Sequence, residues 1–466
     1  MRKRTLTPAA QQDLAELLGP RFTTSVSHRA QHGRDESPLD PAEPEAVAYP
    51  SSTEEVSRIV AVCSGHGIPV IPFGAGTSLE GHVLASSGGV SLDMTKMNSK
   101  IDVRASDMDA TVEAGVTRSA LNDRLKREGL FFPVDPGADA TIGGMAATGA
   151  SGTTTVKYGA MRENVLSLRV VLADGRVVDT GRRARKSSAG YDLTRLFIGS
   201  EGTLGVITEV TLRVYGLPEA MSSATCHFSE IEDAVNAVTA LLQTGIDVAR
   251  IEFLDELSIE AINAYSGSAR AVAPTLFLEF HGSHEEVARQ AQDASDVVAG
   301  FGALDYQSSE DQRAGVDLWQ ARHNHFYASR ALRSGARAIT TDICVPLSHL
   351  GEAIVAARAD IQSFSLTATI AGHVGDGNFH VVILVDPEDE NEMERAEQMN
   401  HRMVQRALDV DGTCTGEHGI GSRKMSFLER ELPGGVEVMR SIKLALDPGN
   451  IMNPGKVTRP PPSSGA

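Results

Sequence analysis

Three glycine-rich segments crowd into one stretch of alternating short strands and helices, and they limit what this chain can fold into. In "VIPFGAGTSLEGH" (70–82) an apolar strand runs straight into Gly74, Ala75, Gly76, Thr77 and Ser78, then Gly81. Small residues at such a place let backbone N–H groups point at phosphate oxygens and let a phosphate come close. A Walker A loop is excluded because no Gly-Lys-Ser/Thr follows, and a GxGxxG fingerprint is broken by Leu79. The second segment is "PVDPGADATIGGMAATGASGTTTVKYG" (133–159) and the third is "FIGSEGTLGVIT" (197–208). One such loop is as readily a tight turn. Three in one α/β region point to a single extended ligand touched by several loops, with the size and shape of a pyrophosphate-bridged dinucleotide.

The 466 residues exceed one ordinary core. Residues 1–41 form a helical lead-in, and the α/β pattern of 42–219 carries the glycine loops. From 220 to 410 the texture changes to longer polar helices ("HEEVARQAQDASDVVAGFG") alternating with strands ("APTLFLEFHG"). That reads as an α+β unit with an antiparallel sheet. Residues 411–459 are again glycine-rich, and 460–466 read as a disordered tail. The net charge of −18 excludes a nucleic-acid footprint, which needs a basic surface, and requires a local basic group to draw in an anionic substrate. Cys63, Cys226, Cys344 and Cys414 are scattered without a CxxC, which fits a reducing compartment. No apolar run reaches transmembrane length, and no signal core follows the basic N-terminus. A cytoplasmic protein is expected, with room for attachment at the periphery of the inner membrane; the sequence neither shows nor excludes a cleaved organelle-targeting segment.

"AGHVGDGNFHVVILV" (371–385) places His373 and His380 around Asp376-Gly377, a type I′ hairpin signature. Counting outward from a two-residue turn, Gly375 faces Asn378, Val374 faces Phe379, and His373 faces His380. The imidazoles would then be a direct cross-strand pair, with Cβ atoms about 5 Å apart. Two half-buried histidines bonded to backbone are the plain reading; convergence on one divalent cation is the other. A third ligand could come from "TGEHGIG", where adjacent Glu417 and His418 point different ways, so that one can bind metal while the other faces substrate. "VDLWQARHNHFYASRALR" (316–333) reads as one helix with Trp319, Arg322, His323 and Phe326 on one face. Arg322 either snorkels to solvent or grips a carboxylate with its planar fork.

The glycine segments, with "YGAMRENVLSLRVVLADGRVV", "GSEGTLGVITEVTLR", "VARIEFLDE", "GHVGDGNFH", "GTCTGEHGIG" and "LDPGNIMNPGK", resemble the vanillyl-alcohol-oxidase/PCMH superfamily, and within it the D-lactate dehydrogenase (cytochrome) branch. The resemblance covers roughly residues 30–459. It implies an α+β fold: a two-subdomain PCMH-type FAD-binding domain, a cap domain with an antiparallel sheet that carries substrate, and a C-terminal segment returning to the flavin. Gly74, Ala75, Gly76, Thr77, Ser78 and Gly81 would cradle the FAD pyrophosphate. Thr141, Gly144, Thr148, Gly149, Ser151 and Gly152 would line the flavin, Gly202 and Ile207 would hold the adenine side or ring edge, and Pro136, Gly137, Tyr158, Gly159, Glu201, Gly205 and Asn453 complete the cofactor-binding set. No histidine stands where covalent members attach FAD, so non-covalent FAD is expected, with His82 as the nearby candidate against it. The resemblance makes His373, His380 and Glu417 ligands of one divalent metal, Zn or Mn first, and His418 the catalytic base. It makes Arg322 the clamp for the substrate carboxylate. "AITTDICVP" (338–346) has Thr340 and Thr341 but no lysine for a second carboxylate, which favours a monocarboxylate. The activity implied is oxidation of a D-2-hydroxy acid, D-lactate first, with cytochrome c or a quinone as acceptor; the sequence leaves the oligomeric state open, a homodimer being one option. The rivals are the flavoprotein subunit of a glycolate oxidase complex and a non-catalytic flavin-bound electron-transfer subunit.

Overall fold

The computed structural model describes residues 4–459, so the tail expected at 460–466 lies outside the described residues. The chain divides into two compact units. The first gathers Met1–Ser151, Ala160–Leu217 and Glu417–Ala466; the second gathers Gly152–Gly159 and Pro218–Gly416.

In the first unit, the strands Ala46–Ala48, Val90–Asp93 and Val70–Phe73 run parallel, with Phe22–Thr23 antiparallel on the outer edge. Such strands are buried on both faces and read as apolar runs. The helix Thr53–His66 covers them because Val56, Ile59, Val60 and Cys63 recur at helical spacing and are all buried. Ser52 starts it by accepting from Glu55 N–H, and Gly67 ends it in the left-handed region. The late residue Met452 bridges to Val70, and Ile451 and Met452 belong to the same apolar core. A second, antiparallel sheet has the order Ile101–Arg104, Asp109–Glu113, Val206–Arg213, Val165–Val171, Val177–Asp179. Its own core includes Val112, Leu168, Val210 and the helix residues Ile142 and Met145.

The second unit is built on an antiparallel sheet. Its order is Leu304–Ser309, Ala220–His227, Thr275–Gly282, Val248–Leu254, Thr367–Gly372, Asn378–Val385 and Arg337–Thr340. Ile343–Cys344 also pairs with Asn378–Val385. The helices Glu256–Ser266, Gln312–His323 and His325–Ala331 pack Ile259, Ile262, Leu318, Trp319 and Ala328 against Leu254, Phe277 and Ala371 of the sheet. These three strand residues share one face with Glu252, Glu279 and His380, because side chains alternate along a strand and paired residues point the same way. That face is therefore apolar where helices cover it and charged beside them.

Candidate active site

The histidine hairpin differs from its expected register. His380 faces Ala371, and His373 is not its partner. Val374–Asp376 forms a 3-10 turn closed by Gly377 at φ 79°, and Asn378 N–H donates back to the His373 carbonyl at 3.3 Å. The loop is thus two residues longer than a type I′ turn, with Asp376 outside the positive-φ region. The reason is tertiary pairing. Val345 N–H donates to the Gly377 carbonyl at 3.0 Å, and the Val345 carbonyl lies 2.1 Å from where a Gly377 Cβ would stand. This neighbour fixes the turn against the preference of Asp-Gly for a tight hairpin. A slip of two residues, unlike a slip of one, leaves every side chain on its original face. The two imidazoles therefore still meet, diagonally, with ring centroids 5.5 Å apart and planes at 85°.

Both rings are oriented through Nδ1. The His380 Nδ1 lies 3.2 Å from the Thr341 carbonyl, which can only accept, so Nδ1 carries the proton. The His373 Nδ1 lies 2.5 Å from Glu252 Oε1, again an acceptor. In each neutral ring the lone pair then sits on Nε2, the form that binds a divalent cation. The donor chemistry of the pair therefore fits the metal that the sequence suggests. Thr341 also accepts from Val381 N–H through Oγ1 at 2.9 Å, so the segment without a lysine serves to hold His380.

The segment carrying Arg322 is two helices, Gln312–His323 and His325–Ala331, broken at Asn324. Trp319 and Arg322 are buried on the first. Phe326 does not continue their stripe; His325, Ala328 and Ser329 are the buried residues of the second helix. His325 Nε2 is 2.9 Å from Ser258 Oγ, and burial holds the ring's pKa well below 6.5, so it is neutral. Arg322 does not snorkel: its Nε donates to Glu252 Oε2 at 2.7 Å. Glu252, fully buried, thus joins the arginine to His373. Sequence reasoning missed it. The available signal was Arg250 and Glu252, two charges at alternate positions of an otherwise apolar strand.

The chain passes from the second unit to the first between Gly416 and Glu417. Within the first unit, Ser151 Oγ donates to Glu417 Oε2 at 2.7 Å. His418 Nε2 is 4.0 Å from Glu417 Oε1, and His418 Nδ1 is 3.5 Å from Glu80 Oε1. Glu80 is the other missed residue. It is fully buried, with Lys424 Nζ at 3.0 Å and Arg423 at 3.4 Å. Burial alone would raise its carboxyl, but the charges of Lys424 and Arg423 and the His418 contact outweigh burial and hold it at about 2. Inside "GTSLEGH" it read as part of a loop.

The glycine segments of the first unit are stitched together. Thr141 caps the helix Ile142–Thr148 by accepting from Gly144 N–H, and a Cβ on Gly74 would fall 2.4 Å from its Oγ1. Thr148 Oγ1 bonds the Gly144 carbonyl at 3.2 Å, and Glu201 N–H donates to the Ala147 carbonyl at 2.8 Å. The Glu201 carboxylate accepts from Ile420 and Gly421 N–H, and Asn453 Nδ2 donates to the His82 and Glu201 carbonyls. These two side chains thus tie segments together. Gly202, Gly205 and Ile207 are buried, and Gly137 is exposed beside half-buried Pro136. Gly152, Tyr158 and Gly159 fall in the second unit, where Tyr158 Oη is 2.8 Å from His281 Nδ1.

Residues 44–181 match a family described as FAD binding domain, and residues 217–457 match one described as FAD linked oxidases, C-terminal domain. A Danio rerio protein named probable D-lactate dehydrogenase, mitochondrial, is 52% identical over 433 residues, covering 92% of this chain and 87% of its own. An Arabidopsis thaliana protein named D-lactate dehydrogenase [cytochrome], mitochondrial, is 46% identical over 452 residues, covering 96% and 79%. The solved structure of p-cresol methylhydroxylase with substrate bound shares the fold, with a TM-score of 0.79 over 98% of each chain at 18% identity. Among the described residues no helix is long and apolar enough to cross a membrane.

Proposed function

The chain belongs to the FAD-linked oxidases, and from that premise we propose that it oxidises a D-2-hydroxy acid, D-lactate first, to the 2-oxo acid. The observation that carries the reading is the grouping of Arg322, Glu252, His373 and His380 beside one sheet face, in a chain 52% identical to a protein named for D-lactate.

Arg322 offers its terminal N–H groups to the substrate carboxylate while Nε stays on Glu252. The absence of a lysine in "AITTDICVP" favours a monocarboxylate. His373, His380 and Glu417 would hold a divalent cation, and FAD would lie along the glycine segments, non-covalently. His82, the nearby histidine, is buried and 3.3 Å from Glu201 Oε2, which supports that mode. When bound, the flavin supplies a two-electron acceptor and the cation supplies the positive charge that makes a 2-hydroxyl more acidic. His418 takes the hydroxyl proton at Nε2, since its Nδ1 faces Glu80. The electrons would leave to cytochrome c or a quinone, and the bracketed word in the Arabidopsis protein's name supports a cytochrome.

The test is anaerobic mixing of the yellow protein with D-lactate, L-lactate, glycolate and D-2-hydroxyglutarate. D-lactate should bleach the flavin fastest. Preference for glycolate or the dicarboxylate would replace the substrate assignment, and no bleaching by any of the four would reject a hydroxy-acid oxidase.

A further inference from the structure

We propose that Glu252 is a positioning residue that sets His373 for metal binding and Arg322 for substrate binding at the same time; this rests on the reading of the site given above. Glu252 sits in the strand Val248–Leu254, where Phe253 pairs with Gly372 and Leu254 with Ala371. Extending that antiparallel register by one step puts Glu252 directly opposite His373, with both side chains on one face. The helix Gln312–His323 brings Arg322 to the other carboxylate oxygen. Glu252 Oε1 accepts a hydrogen bond from His373 Nδ1–H at 2.5 Å, and Oε2 accepts one from Arg322 Nε–H at 2.7 Å. The carboxylate is 0% exposed, so each oxygen depends on these donors in place of water.

Two consequences follow from the donor chemistry. With the proton fixed at Nδ1, the lone pair of His373 stays on Nε2, as a ligand needs. With Nε anchored, the guanidinium cannot roll, and its terminal edge keeps one orientation toward a carboxylate. Among the described residues, Nε is the guanidinium nitrogen of Arg322 that has a hydrogen-bond partner. One carboxylate therefore couples metal occupancy to substrate affinity, and a change at Glu252 must disturb both together.

Glu252→Gln separates this from a plain packing role. An amide cannot accept from two donors with both its ends. Its NH2 end must meet either Arg322 Nε–H, donor against donor, or His373 Nδ1, which then has to become the acceptor and moves the ring proton to Nε2. Mn2+ would be titrated into metal-stripped, FAD-loaded protein by calorimetry, alongside KM and kcat for D-lactate, flavin stoichiometry and thermal melting. In E252Q the Kd for Mn2+ should rise about 10- to 100-fold and KM should rise with it, with flavin content unchanged. Glu252→Asp keeps the buried charge but is too short to reach both partners, and it should show the same pair of losses if E252Q does not fold. Wild-type Mn2+ affinity in a folded E252Q or E252D overturns the proposal. His373→Ala distinguishes the levels. If it too leaves Mn2+ binding intact, the site reading itself fails; if it abolishes binding while both Glu252 variants bind normally, only the role of Glu252 is wrong.

Discussion

Lys424 Nζ lies 3.0 Å from Glu80 Oε1, with the side chains 4% and 0% exposed. Removing one member of such a pair strands a buried charge, so Glu80→Ala should cost about 3–5 kcal/mol in denaturant unfolding. The folded carboxyl is held at about 2, below its ordinary 4.5. Its stabilisation is therefore complete above the ordinary value and drains away as pH falls toward about 2. A pH series should show a shallower acid limb in Glu80→Gln than in the wild type, the rest of the limb coming from other carboxyls such as Glu55, which Arg21 holds at about 2.

His418→Ala should slow flavin reduction by D-lactate by about 10²- to 10⁴-fold, the usual contribution of a general base, with FAD still bound. Stopped-flow absorbance under anaerobic conditions reads this directly, and bleaching at the normal rate would remove His418 from the base role.

His380→Ala and exhaustive EDTA treatment should have the same effect. Loss of several kcal/mol of transition-state stabilisation corresponds to a rate drop of at least about 10²-fold. Added Mn2+ or Zn2+ should restore the stripped wild type but not the variant. Full turnover in protein shown to be metal-free by mass spectrometry would count against the cation.

Arg322→Lys keeps a positive charge but lacks both the fork and Nε–H. The expected loss is about 1.5–3 kcal/mol, or roughly 10- to 150-fold in KM for D-lactate, with a smaller change in kcat. Unchanged KM would place the substrate carboxylate elsewhere.

Gly74→Ala tests the first glycine loop. The added methyl would stand 2.4 Å from Thr141 Oγ1, so loop and helix cap must separate. A cost of about 1–3 kcal/mol is expected, seen as weaker FAD retention on gel filtration. Equal retention would mean that the loop adapts without disturbing the flavin contacts.

Face and pattern were legible in the sequence where they depend on local alternation. The histidines share a face because their spacing has the right parity, and that survives the change of register. The register itself was not legible, since Val345, just past the strand Ile343–Cys344, decides the turn. The break at Asn324 was equally hidden, because periodicity across 316–333 continues through it. Glu252 and Glu80 escaped for a different reason. A single buried acid has no spacing of its own, and only its partners, Arg322 and His373 for one and Lys424 for the other, mark it as more than a surface charge.

The bridge from Val70 to Met452 has a consequence for biosynthesis. Ile451 and Met452 fill a core whose other members, such as Val70 and Val90, leave the ribosome hundreds of residues earlier. Lys456 likewise closes on the Leu84 carbonyl. During translation the early strands must wait, unfinished, while all of Pro218–Gly416 is synthesised. The inserted unit, whose sheet needs nothing after Gly416, has every strand available before the unit that surrounds it in sequence is complete.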